Sequence, residues 1–279
     1  MIKILFPTDF SNAAENAFFY ALQLTRKLNA ELVLAHVYEL PDLGRALHNT
    51  SKEVFEIMEM ETLENFKKSV DNLRRKAENN GYGDVDFKHL MAEGQVVPRI
   101  VDLAKKENAD YIVMGTTGAT GLKEVFLGSV AAGVIDNSPC NVLSIPEEVS
   151  SKNAIDKIAY LTNYKDEEVV SFNEVNRFAA FFGATVCSMH FKKEVSELSE
   201  KQMEDWKKKL GVNYEDLHSY VVTGNNLEEA ICELYIKHDI DVIAIQPRKR
   251  NFFTQIFRKS ISKQIVQRLS IPLFTLPAK

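Results

Sequence analysis

The chain has 279 residues, of which 45% are hydrophobic, and its formal net charge at pH 7 is −5. This length fits one large or two ordinary domains, and each half holds enough apolar residues to bury its own core. The acidic balance disfavours non-specific nucleic-acid binding, no run of about eighteen apolar residues indicates a membrane span, and no signal-peptide pattern opens the chain, so we expect a soluble cytoplasmic protein.

The first half alternates short apolar runs with amphipathic segments. The apolar residues of these segments recur at three and four positions, as in helices that pack on a sheet, and Ser11 or Asn12 is the candidate N-cap of the first one. A β-α-β-α order of this kind predicts an α/β fold with a doubly wound parallel sheet. The five predicted strands are Lys3–Phe6, Leu32–Val37, Phe87–Met91, Tyr111–Met114 and Asn141–Ile145.

A glycine-rich stretch from Gly115 to Ser129 follows the fourth predicted strand and leads into another helical segment. Glycine lets the main chain approach a phosphate closely, and a helix N-terminus favours an anion. In a doubly wound sheet, ligands bind beyond the carboxyl ends of the strands, where Thr8 and Asp9 also lie. The sequence therefore predicts a crevice between Asp9 and the glycine loop.

The second half repeats the first. At an offset of 154 residues Thr8 falls on Thr162 and His36 on His190, and at an offset of 131 the segment Tyr111–Pro146 superposes on residues 242–277 without a gap. Two tandem domains are expected, at residues 1–147 and 154–279, with a linker at 148–153.

The second copy has lost the glycines of the loop. At the offset of 131, the residues Gly115, Gly118 and Gly128 become Gln246, Lys249 and Lys259, and Pro247 enters the turn. Side chains and a proline replace permissive positions there, so we expect a single nucleotide-type site, in the first half.

Charge and cysteine content add two weaker signals. Eight basic residues and no acidic one follow Asp241, and five of them lie in the segment Arg248–Lys259. This basic segment is either a solvated face or a surface for an anion or an acidic partner. The cysteines Cys140, Cys187 and Cys232 lack the spacing of a zinc or disulfide framework, and we interpret them as core residues.

These patterns together resemble the universal stress protein family in its tandem form. The resemblance rests on the opening Ile4–Ser11, on Ala35-His36-Val37, and on a G-x2-G-x9-G-S spacing that begins at Gly115. It covers the first half nearly end to end and the second half in outline. It implies a Rossmann-like fold of five parallel strands per domain, and ATP binding where the glycine motif is intact. It also places the contact between the copies in the fifth strands, Asn141–Ile145 and Leu273–Leu276.

Carried onto this chain, the resemblance implies a nucleotide site. Asp9 and the backbone at Val37 hold the nucleoside end, beside Pro7, Thr8 and Met114. The phosphates are lined by Gly115, Gly118, Gly128, Ser129 and Val130. Mg²⁺ bridging the phosphates is compatible with the resemblance, although no carboxylate cluster in the sequence requires it.

The residues by themselves leave other roles open. Asp9 can be a helix cap, the glycines can form an ordinary turn or helix start, and His36 and His190 are typical of packed strand ends.

Three functions follow. The first is an ATP-binding stress-response or signalling module, whose protein partner is unknown. The second is a slow ATPase, for which the loop has Lys123 but lacks a Walker G-K-[S/T] ending. The third is an interaction protein without nucleotide, whose copies form a built-in dimer, with a further homodimer open. No catalytic residue is predicted.

Overall fold

The computed structural model shows one mixed sheet to which both halves of the chain contribute. It describes residues 1–39, 51–116, 128–150, 155–192, 200–210, 217–223, 227–247 and 271–278. The predicted roles of Gly118, Lys123 and the basic segment Arg248–Lys259 fall outside these ranges.

The first half is a doubly wound parallel sheet, as predicted. Its strands are β1 (Lys3–Pro7), β2 (Glu31–Tyr38), β3 (Phe87–Glu93), β4 (Tyr111–Gly115) and β5 (Asn141–Ile145). Its described helices are α1 (Asn12–Leu28), α2 (Ser51–Asn79), α3 (Val96–Glu107) and α4 (Ser129–Asn137). The strands lie in the order β3-β2-β1-β4-β5, and neighbours are parallel. The five predicted strands are confirmed.

Helix α1 begins at a side-chain cap. The hydroxyl of Ser11 accepts a hydrogen bond from the N–H of Ala14 at 3.3 Å, so Ser11 is the N-cap among the candidates. Asn29 ends the helix in the left-handed conformation, with φ at 48°. The capping role that was open for Asp9 therefore belongs to Ser11.

The second half repeats this topology in mirror order along the sheet, which confirms two repeats of one unit. Its strands are β6 (Lys157–Leu161), β7 (Thr185–Lys192), β8 (Ser219–Thr223), β9 (Val242–Ile245) and β10 (Leu273–Thr275). Its described helices are α5 (Glu168–Ala180), α6 (Glu200–Lys209) and α7 (Leu227–His238). The strands continue the sheet in the order β10-β9-β6-β7-β8.

The two halves meet where β5 pairs with β10. This pair is antiparallel, and it sets Leu143 opposite Phe274. The hydroxyl of Thr275 reinforces it with a 3.2 Å hydrogen bond to the carbonyl of Val142. These are the two fifth strands in which the family resemblance predicts the contact between the copies.

Two apolar layers cover the sheet, and both continue from one half into the other. One layer contains residues of α1, α2, α5 and α6, and the other contains residues of α3, α4 and α7. Trp206 is 1% exposed and belongs to the first layer. Cys140 and Cys187 are also buried, and burial raises their pKa values to about 11 and about 12.

Aromatic rings join the halves inside the first layer. Phe178 of α5 stacks on Phe274 of β10 with a centroid separation of 4.2 Å and an interplanar angle of 10°. The ring centroid of Tyr111 on β4 lies 6.2 Å from that of Phe178. Burial raises the pKa of the Tyr111 hydroxyl to about 12. This cluster therefore links three elements across the junction.

Helix α1 also holds the chain where it leaves the first half. The side-chain amide of Asn16 donates to the carbonyls of Pro146 at 3.0 Å and Val149 at 2.6 Å. The hydroxyl of Tyr20 donates to the carbonyl of Ser150 at 2.9 Å.

Among the described helices, none combines the length and hydropathy that a membrane span requires.

Replacing Phe178 by alanine is expected to lower the free energy of unfolding by about 3–5 kcal/mol, because it removes a fully buried ring and leaves a cavity against Phe274. Urea unfolding followed by circular dichroism measures this loss. Val170→Ala on the same helix is the control, since Val170 is 72% exposed and its loss is expected to cost no more than about 0.5 kcal/mol. Equal effects of the two variants would contradict a junction held by the Phe178 ring.

Candidate functional site

The carboxyl ends of β1, β2 and β4 surround a cavity of ≈ 350 Å³. The structure brings nine of the ten predicted site residues to its wall, and the tenth, Gly118, lies outside the described residues. These nine are Pro7, Thr8, Asp9, Val37, Met114, Gly115, Gly128, Ser129 and Val130. Their convergence follows from the strand order, which sets β1 between β2 and β4.

The turn between β1 and α1 forms one wall. The N–H of Thr8 donates to the carbonyl of Ala35 at 2.9 Å, and the hydroxyl of Thr8 accepts from the N–H of Phe10 at 2.9 Å. Phe10 has a positive φ of 59°, which residues other than glycine rarely adopt. The carboxylate of Asp9 accepts from the N–H of Ser11 at 3.0 Å. The turn is thus held by its own hydrogen bonds with the Asp9 carboxylate exposed at the cavity.

The N-terminus of α4 forms the opposite wall. Gly128 precedes the helix in an extended conformation, and its N–H donates to the carbonyl of Thr116 at 2.6 Å. No side chain of the described residues caps this helix. The N–H groups of a first helical turn need partners from outside the helix, and together with the helix dipole they favour an anion. This wall therefore suits a phosphate or a carboxylate.

Gly115 has a packing reason to be glycine. A Cβ atom at this position would lie 3.1 Å from the backbone carbon and oxygen of Ala13, at the start of α1. The absence of a side chain thus lets the end of β4 approach α1 closely. The predicted contact of Gly115 with phosphate stays a prediction beside this structural role.

Six further residues line the cavity that sequence reasoning did not single out: Ala14, Ala35, Val96, Ile100, Thr116 and Ala131. Ala35 could have been found, because alternate residues of a strand share a face and Val37 was already assigned to the site. Val96 and Ile100 come from α3, whose approach to the crevice depends on the packing of α3 on the sheet. Together with Val37 and Met114 they make one end of the cavity apolar.

The cavity carries little charge of its own. Among its described lining residues, Asp9 is the one with an ionisable side chain. The arrangement offers an apolar end, an exposed carboxylate and a helix N-terminus, a set that suits an uncharged ring system joined to an anionic group. It offers no cationic side chain or nucleophile–base pair within the described wall.

The second half builds the same turn and binds it with a side chain of its own. The hydroxyl of Thr162 accepts from the N–H of Tyr164 at 2.8 Å, as Thr8 does from Phe10. Glu168 stands where the first half has Ala14, and its carboxylate accepts from the Thr162 hydroxyl at 2.6 Å and from the N–H of Asn163 at 2.9 Å. The Glu168 side chain is therefore a hydrogen-bond acceptor for this turn. The first half has no such acceptor at the corresponding position, because Ala14 stands there.

Gln246, which replaces Gly115, is tied down as well. Its side-chain oxygen accepts a hydrogen bond from Ser171, and its side-chain nitrogen donates to the carbonyl of Pro277 at 3.2 Å. The corresponding helix, α5, begins at Glu168, two positions later than α1 by the offset of 154 residues. The side chain of Gln246 thus occupies, with its own hydrogen bonds, a position where the first half has no side chain.

Comparison with known proteins gives a consistent assignment. A family model described as the universal stress protein family matches residues 1–146. Universal stress protein MJ0531 of Methanocaldococcus jannaschii is 36% identical over 144 residues, which are 51% of this chain and 81% of the relative. Universal stress protein MJ0577 of the same organism is 33% identical over 159 residues, covering 53% of this chain and 96% of the relative.

Likeness of fold extends over both halves. The crystal structure of a universal stress protein from Archaeoglobus fulgidus matches 99% of this chain and 96% of its own, with a TM-score of 0.67 and 18% identity. A putative universal stress protein from Pseudomonas aeruginosa matches 99% of this chain with a TM-score of 0.62 and 15% identity. At these identities the comparison supports the fold of the whole chain and nothing further.

Replacing Glu168 by alanine is expected to lower the free energy of unfolding by about 2–3 kcal/mol, because the buried hydroxyl of Thr162 and the partly buried N–H of Asn163 lose their acceptor. Chemical denaturation measures the change. The neighbouring Glu167 is exposed, and Glu167→Ala is the matched control, with an expected change within about 0.5 kcal/mol. If both variants behave like the control, Glu168 does not hold the turn.

Proposed function

Because the chain belongs to the universal stress protein family, we propose that its first half binds ATP or a related adenine nucleotide and that the protein acts as a stress-response regulatory module. The observation that carries this proposal is the cavity at the ends of β1, β2 and β4, where nine of the residues implied by the family resemblance converge. In this proposal, occupancy of the cavity changes the surface offered to a protein partner.

The two ends of the cavity suit the two ends of a nucleotide. The apolar end, with Val37, Ile100 and Met114, fits a base, and the Asp9 carboxylate can accept hydrogen bonds from a ribose. The N-terminus of α4 fits the phosphates, since its N–H groups and its dipole favour negative charge. A volume of ≈ 350 Å³ also lies within the range of about 300–1,000 Å³ for small-molecule sites.

Magnesium has a supporting role in this proposal. Among the described residues, no group of three or more His, Cys, Asp or Glu side chains could hold a metal ion. Mg²⁺ commonly keeps several waters and binds through phosphates with one or two carboxylates. The ion would therefore arrive with the nucleotide and be held chiefly by its phosphates.

We further propose one nucleotide site per chain, with domains at residues 1–147 and 154–279 and a linker at 148–153. Two side chains of the second half support this, because Glu168 and Gln246 occupy the positions of Ala14 and Gly115 and are held there by hydrogen bonds. The second domain would then serve as a fixed partner of the first, in the cytoplasm.

An interaction protein without nucleotide is the second candidate. The continuous sheet favours it, because the pairing of β5 with β10 already joins the halves as a dimer contact would. Rapid hydrolysis of ATP has less support, because Asp9 is the one ionisable group on the described wall and Lys123 lies outside the described residues.

Calorimetric titration with Mg-ATP is expected to show one binding event per chain, and Asp9→Ala is expected to weaken it at least about tenfold by removing a charged acceptor at the nucleoside end. Asn163→Ala, at the corresponding position of the second half, is the matched control and should leave the affinity unchanged. Absence of binding to the wild-type chain at millimolar nucleotide would remove the proposal.

Copying the second half into the first is expected to abolish binding. Ala14→Glu places a carboxylate at the position that Glu168 occupies in the second half, where it fills space and repels phosphate. The expected loss of Mg-ATP affinity is about a hundredfold or more, equivalent to about 2.8 kcal/mol. Ala14→Ser is the control for substitution at this position, and thermal unfolding monitors the fold. A glutamate variant that binds like the serine variant would place the ligand away from Ala14.

A further inference from the structure

His36 lies behind the wall of the cavity. Its neighbours on β2, Ala35 and Val37, line the cavity, and since successive strand residues point to opposite faces, His36 belongs to the other face of the sheet. There its half-buried ring lies 5.1 Å from the ring of Phe10 and 6.0 Å from that of Phe66 on α2, nearly parallel to the latter. The ring is thus packed between the turn and α2.

The ring of His36 also holds the carbonyl of Thr8. Its Nδ1 atom lies 2.8 Å from the Thr8 oxygen, and because a carbonyl can only accept, the histidine must donate. Thr8 is then fixed at three atoms: its nitrogen by Ala35, its hydroxyl by Phe10 and its carbonyl by His36. Only the last of these bonds comes from a side chain of another element.

This bond sets the orientation of the peptide that leads into Asp9. The Thr8–Asp9 peptide is trans, as are all the described peptide bonds, so its carbonyl and its N–H point in opposite directions in one plane. Holding the carbonyl toward His36 therefore turns the Asp9 N–H away from that ring, and it fixes the point from which the Asp9 side chain leaves the backbone.

The second half contains the same device. The Nδ1 atom of His190 lies 2.8 Å from the carbonyl of Thr162, and its ring lies 5.7 Å from that of Tyr164, the counterpart of Phe10. Tyr164 also repeats the positive φ, at 56° against 59°. The bond thus accompanies the strained turn in both halves, whereas the cavity of the first half lies at only one of these turns.

We propose that His36 is a positioning residue of the nucleotide site, which acts through the Thr8 carbonyl to hold Asp9 against the ligand and does not touch the ligand itself. The inference rests on the proposed nucleotide binding of the first half. By the same inference, His190 holds the carbonyl of Thr162 but has no effect on nucleotide binding. Comparing His36 with His190 therefore separates an effect on positioning from an effect on stability.

The test measures Mg-ATP affinity and thermal unfolding for three single variants. His36→Phe keeps a ring between Phe10 and Phe66 and removes the donor, and it is expected to raise the Kd about tenfold, or about 1.4 kcal/mol. His36→Asn keeps a donor close to the position of Nδ1 and is expected to recover most of the affinity. His190→Phe is expected to lower the unfolding temperature about as much as His36→Phe and to keep the Kd within about twofold, or about 0.4 kcal/mol.

Each other outcome overturns the inference. An unchanged Kd in His36→Phe excludes positioning, and an equal loss in His190→Phe reduces the effect to general stability. His36→Asn binding as weakly as His36→Phe shows that the ring, not the donor, matters. In all three cases the wild-type chain still binds nucleotide and the proposed function stands, whereas a wild-type chain that binds none removes both.

Discussion

The pairing of β1 with β4 decides where this chain can form a ligand site. Ile4 lies opposite Tyr111 and Leu5 opposite Ile112, although the two strands are more than a hundred residues apart. Helix α1, which follows β1, packs into one apolar layer, and α4, which follows β4, belongs to the other. The chain therefore leaves two adjacent strands toward opposite faces, and a crevice opens between the departing segments. The turn at Asp9 and the N-terminus of α4 can face each other only because of this pair.

The same pairing recurs between β6 and β9, so the second half repeats the adjacent strands of the first with different side chains at their described ends. Buried N–H and hydroxyl groups require acceptors whether or not a ligand is present. Glu168 meets this requirement for Thr162 and Asn163, and its carboxylate gains three charge-assisted hydrogen bonds that offset its burial. The fold of the turn is thus the same in both copies, while Glu168 supplies an acceptor at a position where the first copy has Ala14.

Sequence reasoning reached the strands and the opposition of Asp9 and the glycine stretch because both depend on patterns local to the chain, whereas residues such as Val37 and Val130 were assigned through the family resemblance. Apolar runs with strand length and the glycine stretch after Met114 are readable without knowledge of tertiary contacts. The contribution of Val96 and Ile100 was not readable, because it depends on how α3 packs across the sheet. Glu168 was missed for a similar reason: a glutamate in the first turn of a helix is an ordinary surface residue until the fold buries it to 7% exposure. Gly115 shows the converse, since its motif position suggested phosphate and the structure adds the close approach of Ala13.

Helix α1 connects the site to the junction between the halves. Ala14 in its first turn lines the cavity, while Asn16 and Tyr20 hold the carbonyls of the chain segment that leaves β5. A ligand shifts an equilibrium only through contacts that differ between two states, and a packed helix transmits displacement because interiors are dense and poorly compressible. The first turn of α1 is constrained from both sides, by Ser11 at its cap and by Gly115 beneath it. Under the proposed function, a ligand that contacts Ala14 therefore acts on a helix that has little freedom to yield locally and that also holds the chain segment following β5.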